Sequence, residues 1–497
     1  MKDETSHNRI HQSSTMAPPT EPDAVKFVDQ TQVAPPPGSV PTTSLPLTFF
    51  DIPWLLCRHM QRLYFYRYPH STPHFLQTDL PKLKHSLSLT LRHFFPFAGK
   101  LVLPPPPAKP HILFTAGDSV TLTVAESSAE FNRLFADNDG PRAAKELHPF
   151  VPKLPPPPPP RREGDASVAP LLALQVCVFP NSGICIGVRF SHVAADGRAF
   201  HHFMKSWTFI CKGRADRSRV HENESLPPPL PCHDRAAIED TDGLEPVFLN
   251  EWWSLASTWD KDAGPARDSP ADTVRTTFVL GQAQIERLKS WATEQFANDN
   301  DSTSLRHATS FVVTCGLIWV CLTKSQESDE SNTNIISNDC DPYYFIFVAD
   351  CRNRLKFRIP TAYFGNCLSI CFVSVKRKEL FGENGTFEAI KAIGKRVAEL
   401  EKGALVGAEK WMLKWKEVAE LWKHVTVAGS PKLGFYDSDF GWGRPKRTES
   451  VQIDVSGAFS LAENGDEKGG VEVGLALSTR AKMSYFKAIL EHNLKLI

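Results

Sequence analysis

Apolar side chains alternate with other residues along Ile184, Ile186, Val188 and Phe190, the two-residue period of a strand with one buried face. Beyond it the period changes. Phe200, Phe203, Met204 and Trp207 recur at i, i+3, i+4 and i+7, the stripe of an amphipathic helix. The residues between, Ser191-His192-Val193-Ala194-Ala195-Asp196-Gly197, are therefore placed on a turn from strand to helix.

The same two periods recur along the chain. Helical patterning covers Leu80 to Phe94 and Arg198 to Cys211, and strand patterning covers His111 to Thr115, Leu171 to Phe179 and Gly183 to Phe190. Further on, Thr276 to Leu280 reads as a strand, Gln282 to Gln295 as a helix and Phe311 to Leu322 as an apolar helix. Tyr343 to Val348 and Leu368 to Val375 read as buried strands. Val471, Val473, Leu475 and Leu477 alternate, and Met483, Phe486, Ile489 and Leu490 mark a closing helix. Strands mixed with helices in both halves predict an α/β fold with layers around two sheets. Prolines interrupt the pattern at Pro104 to Pro107 and Pro155 to Pro160, which predicts extended surface loops. Residues 213 to 235 mix charge with Pro227, Pro228, Pro229 and Pro231, as an exposed crossover would. Ser325 to Asp341 is polar and reads as a surface loop.

A chain of 497 residues exceeds one ordinary core and predicts two domains. Lys+Arg and Asp+Glu are both 56, so no overall basic excess points to nucleic acid, and any cationic site must be local. No apolar run approaches a membrane span. Met1 to Ser14 lacks the apolar core of a signal peptide and is expected to be disordered. The 11 cysteines form no CxxC pair, and Cys367 and Cys371 have no matching His/Cys cluster. Reduced thiols, no metal site and a cytoplasmic location are expected.

Two segments carry candidate chemistry. His192 at the strand end, with Asp196 four residues on, suits a general base, because imidazole exchanges protons near neutrality. Gly197 is expected to supply a backbone angle that other residues avoid. The bland alternative is a loop histidine, with Asp196 capping the following helix. The second segment is Asp439-Phe440-Gly441-Trp442-Gly443, where two glycines allow a tight turn beside a large ring. Its bland alternative is an aromatic-anchored structural loop.

HVAADG followed by DFGWG resembles the plant BAHD acyl-CoA-dependent acyltransferases. So do Leu45-Pro46-Leu47-Thr48-Phe49-Phe50-Asp51, the segment His93 to Leu101, Asp234-Arg235, Asp350-Cys351-Arg352-Asn353-Arg354 and Tyr363-Phe364-Gly365-Asn366-Cys367. The last is similar to the subgroup that acylates anthocyanins, flavonoid glycosides and phenolic glucosides, often with malonyl. The resemblance spans about residues 26 to 495. It departs at SHVAADG, where many of that subgroup read HHAVxDG.

The resemblance implies two chloramphenicol-acetyltransferase-like domains, each a mixed sheet flanked by helices, with an active-site channel at their interface. It divides the chain into a disordered extension (1–25), an N-terminal domain (26–212), a crossover linker (213–245) and a C-terminal domain (246–497). It implies direct transfer of an acyl group from acyl-CoA to a glycoside hydroxyl, with His192 as base, no permanently bound cofactor and malonyl-CoA as the expected co-substrate. A hydroxycinnamoyl donor is the alternative. An inactive acyl-CoA-binding homologue and a carrier-dependent condensation domain are the readings from other classes. The protein is expected to act as a monomer on a small-molecule acceptor, without nucleic acid or membrane.

Residue by residue, Asp196 is expected to pair with Arg352, or with Arg354 in second place, rather than to orient His192. Asp439 is either a structural carboxylate remote from His192 or a second catalytic group. The neighbourhood of Trp442 is where an oxyanion donor is sought. Lys289, Thr309 and Ser310 are expected to meet CoA phosphates, with His307 opening the same segment, and Arg189 or Arg198 to meet the malonyl carboxylate.

Overall fold

The computed structural model describes residues 25–135, 140–155, 165–213, 227–256, 272–299, 308–327, 338–421 and 423–497. The N-terminal extension through residue 24, Pro156 to Pro160 of the proline run, His307 and residues 214–226 of the crossover lie outside them.

Three sheets organise the described residues. The first runs in the order Lys26–Val33, Val120–Glu126, Leu172–Phe179, Gly183–Phe190, Met60–Arg67, Arg447–Ser450. The second runs Leu368–Lys376, Pro342–Asp350, His424–Gly429, Phe459–Glu463, Val471–Leu477, Val274–Leu280, Arg142–Ala143. A smaller sheet holds Thr43–Pro46, His111–Phe114, Lys100–Leu103 and Ser167–Pro170. Gly183–Phe190 lies inside the first sheet, antiparallel to both neighbours, with Val188 opposite Leu174 and Arg62. Its even positions Ile184, Ile186 and Val188 enter the main core, and Cys185 enters a second apolar cluster on the opposite face. Burial on both faces makes this strand a rigid support for the turn at its C-terminal end.

Helix Gly197–Cys211 crosses helix Leu80–His93, and the Trp207 indole N–H donates to Ser86 Oγ at 3.1 Å. In the C-terminal half, helix Ser310–Glu327 is buried nearly throughout and packs against helices Gly385–Leu400 and Arg480–Leu496. It extends past Ser325, where polarity predicts the start of a loop. Ser325 turns inward and donates to the Leu322 carbonyl at 2.8 Å, so its hydroxyl is satisfied within the helix.

Each large sheet borrows a strand from the other half of the chain. Arg447–Ser450 pairs with Met60–Arg67, placing Thr448 opposite Tyr64. Arg142–Ala143 pairs with Val274–Leu280. Buried charges accompany the exchange. Arg275 meets Glu449 at 2.7 Å and Asp454 at 2.8 Å, and Arg142 also pairs with Glu449. Burial alone would raise the Glu449 pKa, but Arg275 and Arg142 outweigh it and hold the carboxyl at about 2. The 11 cysteines are free thiols, and no described helix is long and apolar enough to cross a membrane.

Candidate active site

His192 sits at the mouth of the strand Gly183–Phe190. The chain leaves the sheet at Ser191, whose N–H donates to the Leu171 carbonyl at 2.9 Å. It folds back through Ala194 N–H to Ser191 O at 3.1 Å, and enters the next helix with Asp196 as its cap, accepting from Ala199 N–H at 2.9 Å. Gly197 has no positive φ, contrary to the expectation from sequence. Close packing bears on this position instead: a Cβ there would stand 3.1 Å from the Leu433 side chain, on the loop leading to Asp439.

The imidazole is half-buried and held on two sides. Nδ1 lies 3.0 Å from Asn366 Oδ1. Asn366 Nδ2 donates to Asp51 Oδ1 at 2.9 Å, to the His192 carbonyl at 2.9 Å and to the Val193 carbonyl at 3.1 Å. All three are acceptors, so the amide has one sensible orientation, with its oxygen toward the imidazole. Nδ1 must then carry the proton, and Nε2 keeps the free lone pair. On the ring face, Trp54 stacks at 3.9 Å between centroids and 14° between planes. Burial lowers the His192 pKa, against smaller opposing effects of Asp196, Asn366 and Asp51.

Asp196 turns away from the imidazole. Its Oδ2 meets Arg352 Nη1 at 2.8 Å and accepts from Cys367 N–H at 3.1 Å. Arg352 also reaches Asp350 at 3.2 Å and the Gly365 carbonyl at 3.2 Å. Burial disfavours the Arg352 charge, yet Asp196 and Asp350 outweigh it and raise its pKa. Arg354, the second expected partner, pairs with Glu401 instead. Where a catalytic triad would put a carboxylate on Nδ1, this site puts the Asn366 amide.

The DFGWG loop is closed on itself. Asp439 Oδ1 accepts from Gly441 N–H at 2.8 Å and Gly443 N–H at 3.0 Å, and its other oxygen pairs with Lys212 at the end of helix Gly197–Cys211. Burial opposes the Asp439 charge, but Lys212 and the two N–H groups prevail and lower its pKa. Gly441 and Gly443 have φ of 107° and 87°, a region that favours glycine. Trp442 meets Tyr66 and Tyr68 edge-on, and Phe440 meets Tyr66 and Trp207. None of these contacts of Asp439 involves His192, and the two glycine N–H groups are committed to Asp439 rather than offered to an oxyanion.

The expected CoA contacts lie on two helices of the C-terminal half. Lys289 pairs with Glu286 at 2.8 Å, and the Thr309 hydroxyl caps the Ser310–Glu327 helix by accepting from Val312 N–H at 3.3 Å. Arg198 is taken by Asp350 at 3.1 Å. Arg189 is partly buried beside Arg58, and both its burial and that neighbour lower its pKa. Among the described residues no three His, Cys, Asp or Glu side chains gather as a metal site would require. Sequence alone assigns no role to Asp51, Trp54, Asn366 or Lys212. Asp51 and Asn366 belong to segments that carry the family resemblance, but the contact between them joins distant parts of the chain and leaves no periodic trace.

The model of the Transferase family matches residues 24–493. A coumaroyl-CoA:anthocyanidin 3-O-glucoside-6''-O-coumaroyltransferase of Arabidopsis thaliana is 41% identical over 481 residues, covering 95% of this chain and 97% of the relative. A malonyl-coenzyme A:anthocyanin 3-O-glucoside-6''-O-malonyltransferase of Dahlia pinnata is 35% identical over 471 residues, covering 93% and 96%. Among solved structures, vinorine synthase superposes with a TM-score of 0.63 at 20% identity, covering 93% of this chain and 96% of its own, a likeness of fold.

Proposed function

Because the chain belongs to the Transferase family, the BAHD acyl-CoA-dependent O-acyltransferases, we propose that it acylates a sugar hydroxyl of an anthocyanin or related phenolic glucoside, with His192 as general base. The observation that carries this is the Nδ1 contact with Asn366, which leaves Nε2 as a free base at the end of a rigid strand. Nε2 takes the acceptor hydroxyl proton as the oxygen attacks the thioester carbon. The tetrahedral oxyanion then collapses, the C–S bond breaks, and the imidazolium returns the proton to the departing CoA thiolate. One C–O bond replaces one C–S bond, and no acyl-enzyme is required. Lys289, Thr309 and Ser310 are proposed contacts for the CoA phosphates. The Asp196–Arg352 pair and Asp439 are proposed to hold the site's shape. Residues 26–212 and 246–497 are proposed as the two domains, joined by the crossover 213–245.

For the donor we favour a hydroxycinnamoyl group over malonyl. The relative named for coumaroyl transfer is 41% identical and the one named for malonyl transfer is 35%. Arg198, one of the two cations suggested for a malonyl carboxylate, is already paired with Asp350. The malonyl reading still has the YFGNC segment in its favour. Purified protein incubated with coumaroyl-CoA or malonyl-CoA and an anthocyanidin 3-glucoside, without any carrier protein, tests both levels. A higher kcat/KM for coumaroyl-CoA supports the donor reading, and a higher value for malonyl-CoA overturns it. No product with any acyl-CoA overturns the proposed acceptor class.

A further inference from the structure

We infer that Trp54 acts in acyl transfer by stabilising the imidazolium of His192 against its indole face, at the moment the ring carries the acceptor's proton. This rests on His192 being the base.

Among the described residues no carboxylate pairs directly with the His192 ring. Its Nδ1 contact is the neutral amide of Asn366. Of the two nearby carboxylates, Asp196 favours the charged ring from a distance but is itself paired with Arg352 at 2.8 Å. Asp51 meets Asn366 rather than the ring, and its other oxygen accepts from the Thr48 N–H and hydroxyl and lies 3.8 Å from the buried Arg235 guanidinium. Burial disfavours the charged form of the ring. What the ring does have is an indole, parallel at 14° and 3.9 Å away. An indole face is negative, and tryptophan is the strongest aromatic partner for a cation. Neutral imidazole gains only dispersion from this stack, whereas imidazolium also gains the cation–π attraction. The stabilisation is therefore larger in the charged state, which is the condition for speeding the step.

The turn is built to hold the indole there. Trp54 lies in the 3-10 segment Ile52–Leu56, and its backbone N–H donates to the Asp51 carbonyl at 3.2 Å. Asp51 in turn grips Asn366. One short turn thus fixes both the amide on the ring edge and the indole on the ring face.

The test is the pH dependence of kcat/KM in Trp54→Leu and in protein carrying site-specifically incorporated fluorinated tryptophan at position 54. Fluorination keeps the shape of the indole while draining its face of negative potential. Loss of the cation–π term should cut kcat roughly three- to thirtyfold. It should also move the ascending limb to lower pH by about half to one and a half units, in step with fluorine content. A limb that stays in place with the fluorinated ring overturns the inference, whatever happens to kcat, and leaves Trp54 a packing residue. If Trp54→Leu fails to fold, the fluorinated series still decides. Persistence of the limb in His192→Ala would instead remove the underlying assignment of the base.

Discussion

The Asp196 carboxylate and the Arg352 guanidinium meet at 2.8 Å with both side chains buried, tying the loop at the end of one sheet to the loop beside the other. The acid of the HVAADG segment thus faces a cation from the opposite half of the chain, and His192 finds its hydrogen-bond partner elsewhere.

Asp196→Asn is expected to leave the buried Arg352 with only the partly exposed Asp350 as counter-charge, at up to about 3–5 kcal/mol of stability. Denaturant unfolding should show a lower midpoint, with turnover lost in proportion to folded protein. An unchanged midpoint with turnover abolished would instead mark Asp196 as a partner in the chemistry.

His192→Ala is expected to reduce kcat on the order of a hundredfold or more, with CoA affinity retained. In the native protein the base must be unprotonated, and burial lowers its pKa. The neutral form therefore persists to more acidic pH than the ordinary imidazole value of about 6.5. Activity should be flat through neutrality and fall only as pH drops through the lowered value. An ascending limb centred above the ordinary value would contradict this assignment.

Asn366→Ala is expected to free the His192 tautomer and ring orientation. Rate should fall on the order of tenfold to a hundredfold, mainly in kcat, because the bound substrates do not need this amide but the proton transfer does. Asn366→Asp places a charge at Nδ1 and should raise the kinetic pKa of the base. If KM alone changes in both variants, Asn366 belongs to a binding surface and not to the support of His192.

Asp439→Asn keeps an oxygen for the Gly441 and Gly443 N–H groups and should retain most activity. Asp439→Ala removes that oxygen and is expected to cost about 1–3 kcal/mol as the loop opens. Equal and near-complete loss of kcat in both, with native stability, would establish a second catalytic group here.

Much of the support for the site is legible in sequence, and its wiring is not. Ile184, Ile186, Val188 and Phe190 announce their strand through alternation, and Phe200, Phe203 and Trp207 announce the helix after it. Leu63, Tyr64, Phe65 and Tyr66 are buried in succession, because Met60–Arg67 is covered on both faces, so no period marks it. Arg447–Ser450 is opaque for another reason. Its residues are polar and yet buried, a pattern that makes sense only once Arg142 and Arg275 arrive from distant strands. The grip of Asn366 on His192 is likewise a three-dimensional fact. A motif can be read from sequence, but which of its atoms faces the imidazole depends on where Asp51 lies.

The borrowed strand also governs how the protein comes into being on the ribosome. Met60–Arg67 is made early, yet its outer neighbour Arg447–Ser450 is made near the end. At about 5–20 residues per second, the wait is on the order of tens of seconds. From the time the inner neighbour Gly183–Phe190 has been made until Arg447–Ser450 follows, the outer edge of Met60–Arg67, which carries Tyr64, Phe65 and Tyr66, stays open to other chains. Yield of this protein in a foreign host should therefore depend on chaperone supply during synthesis more than on the stability of the finished molecule.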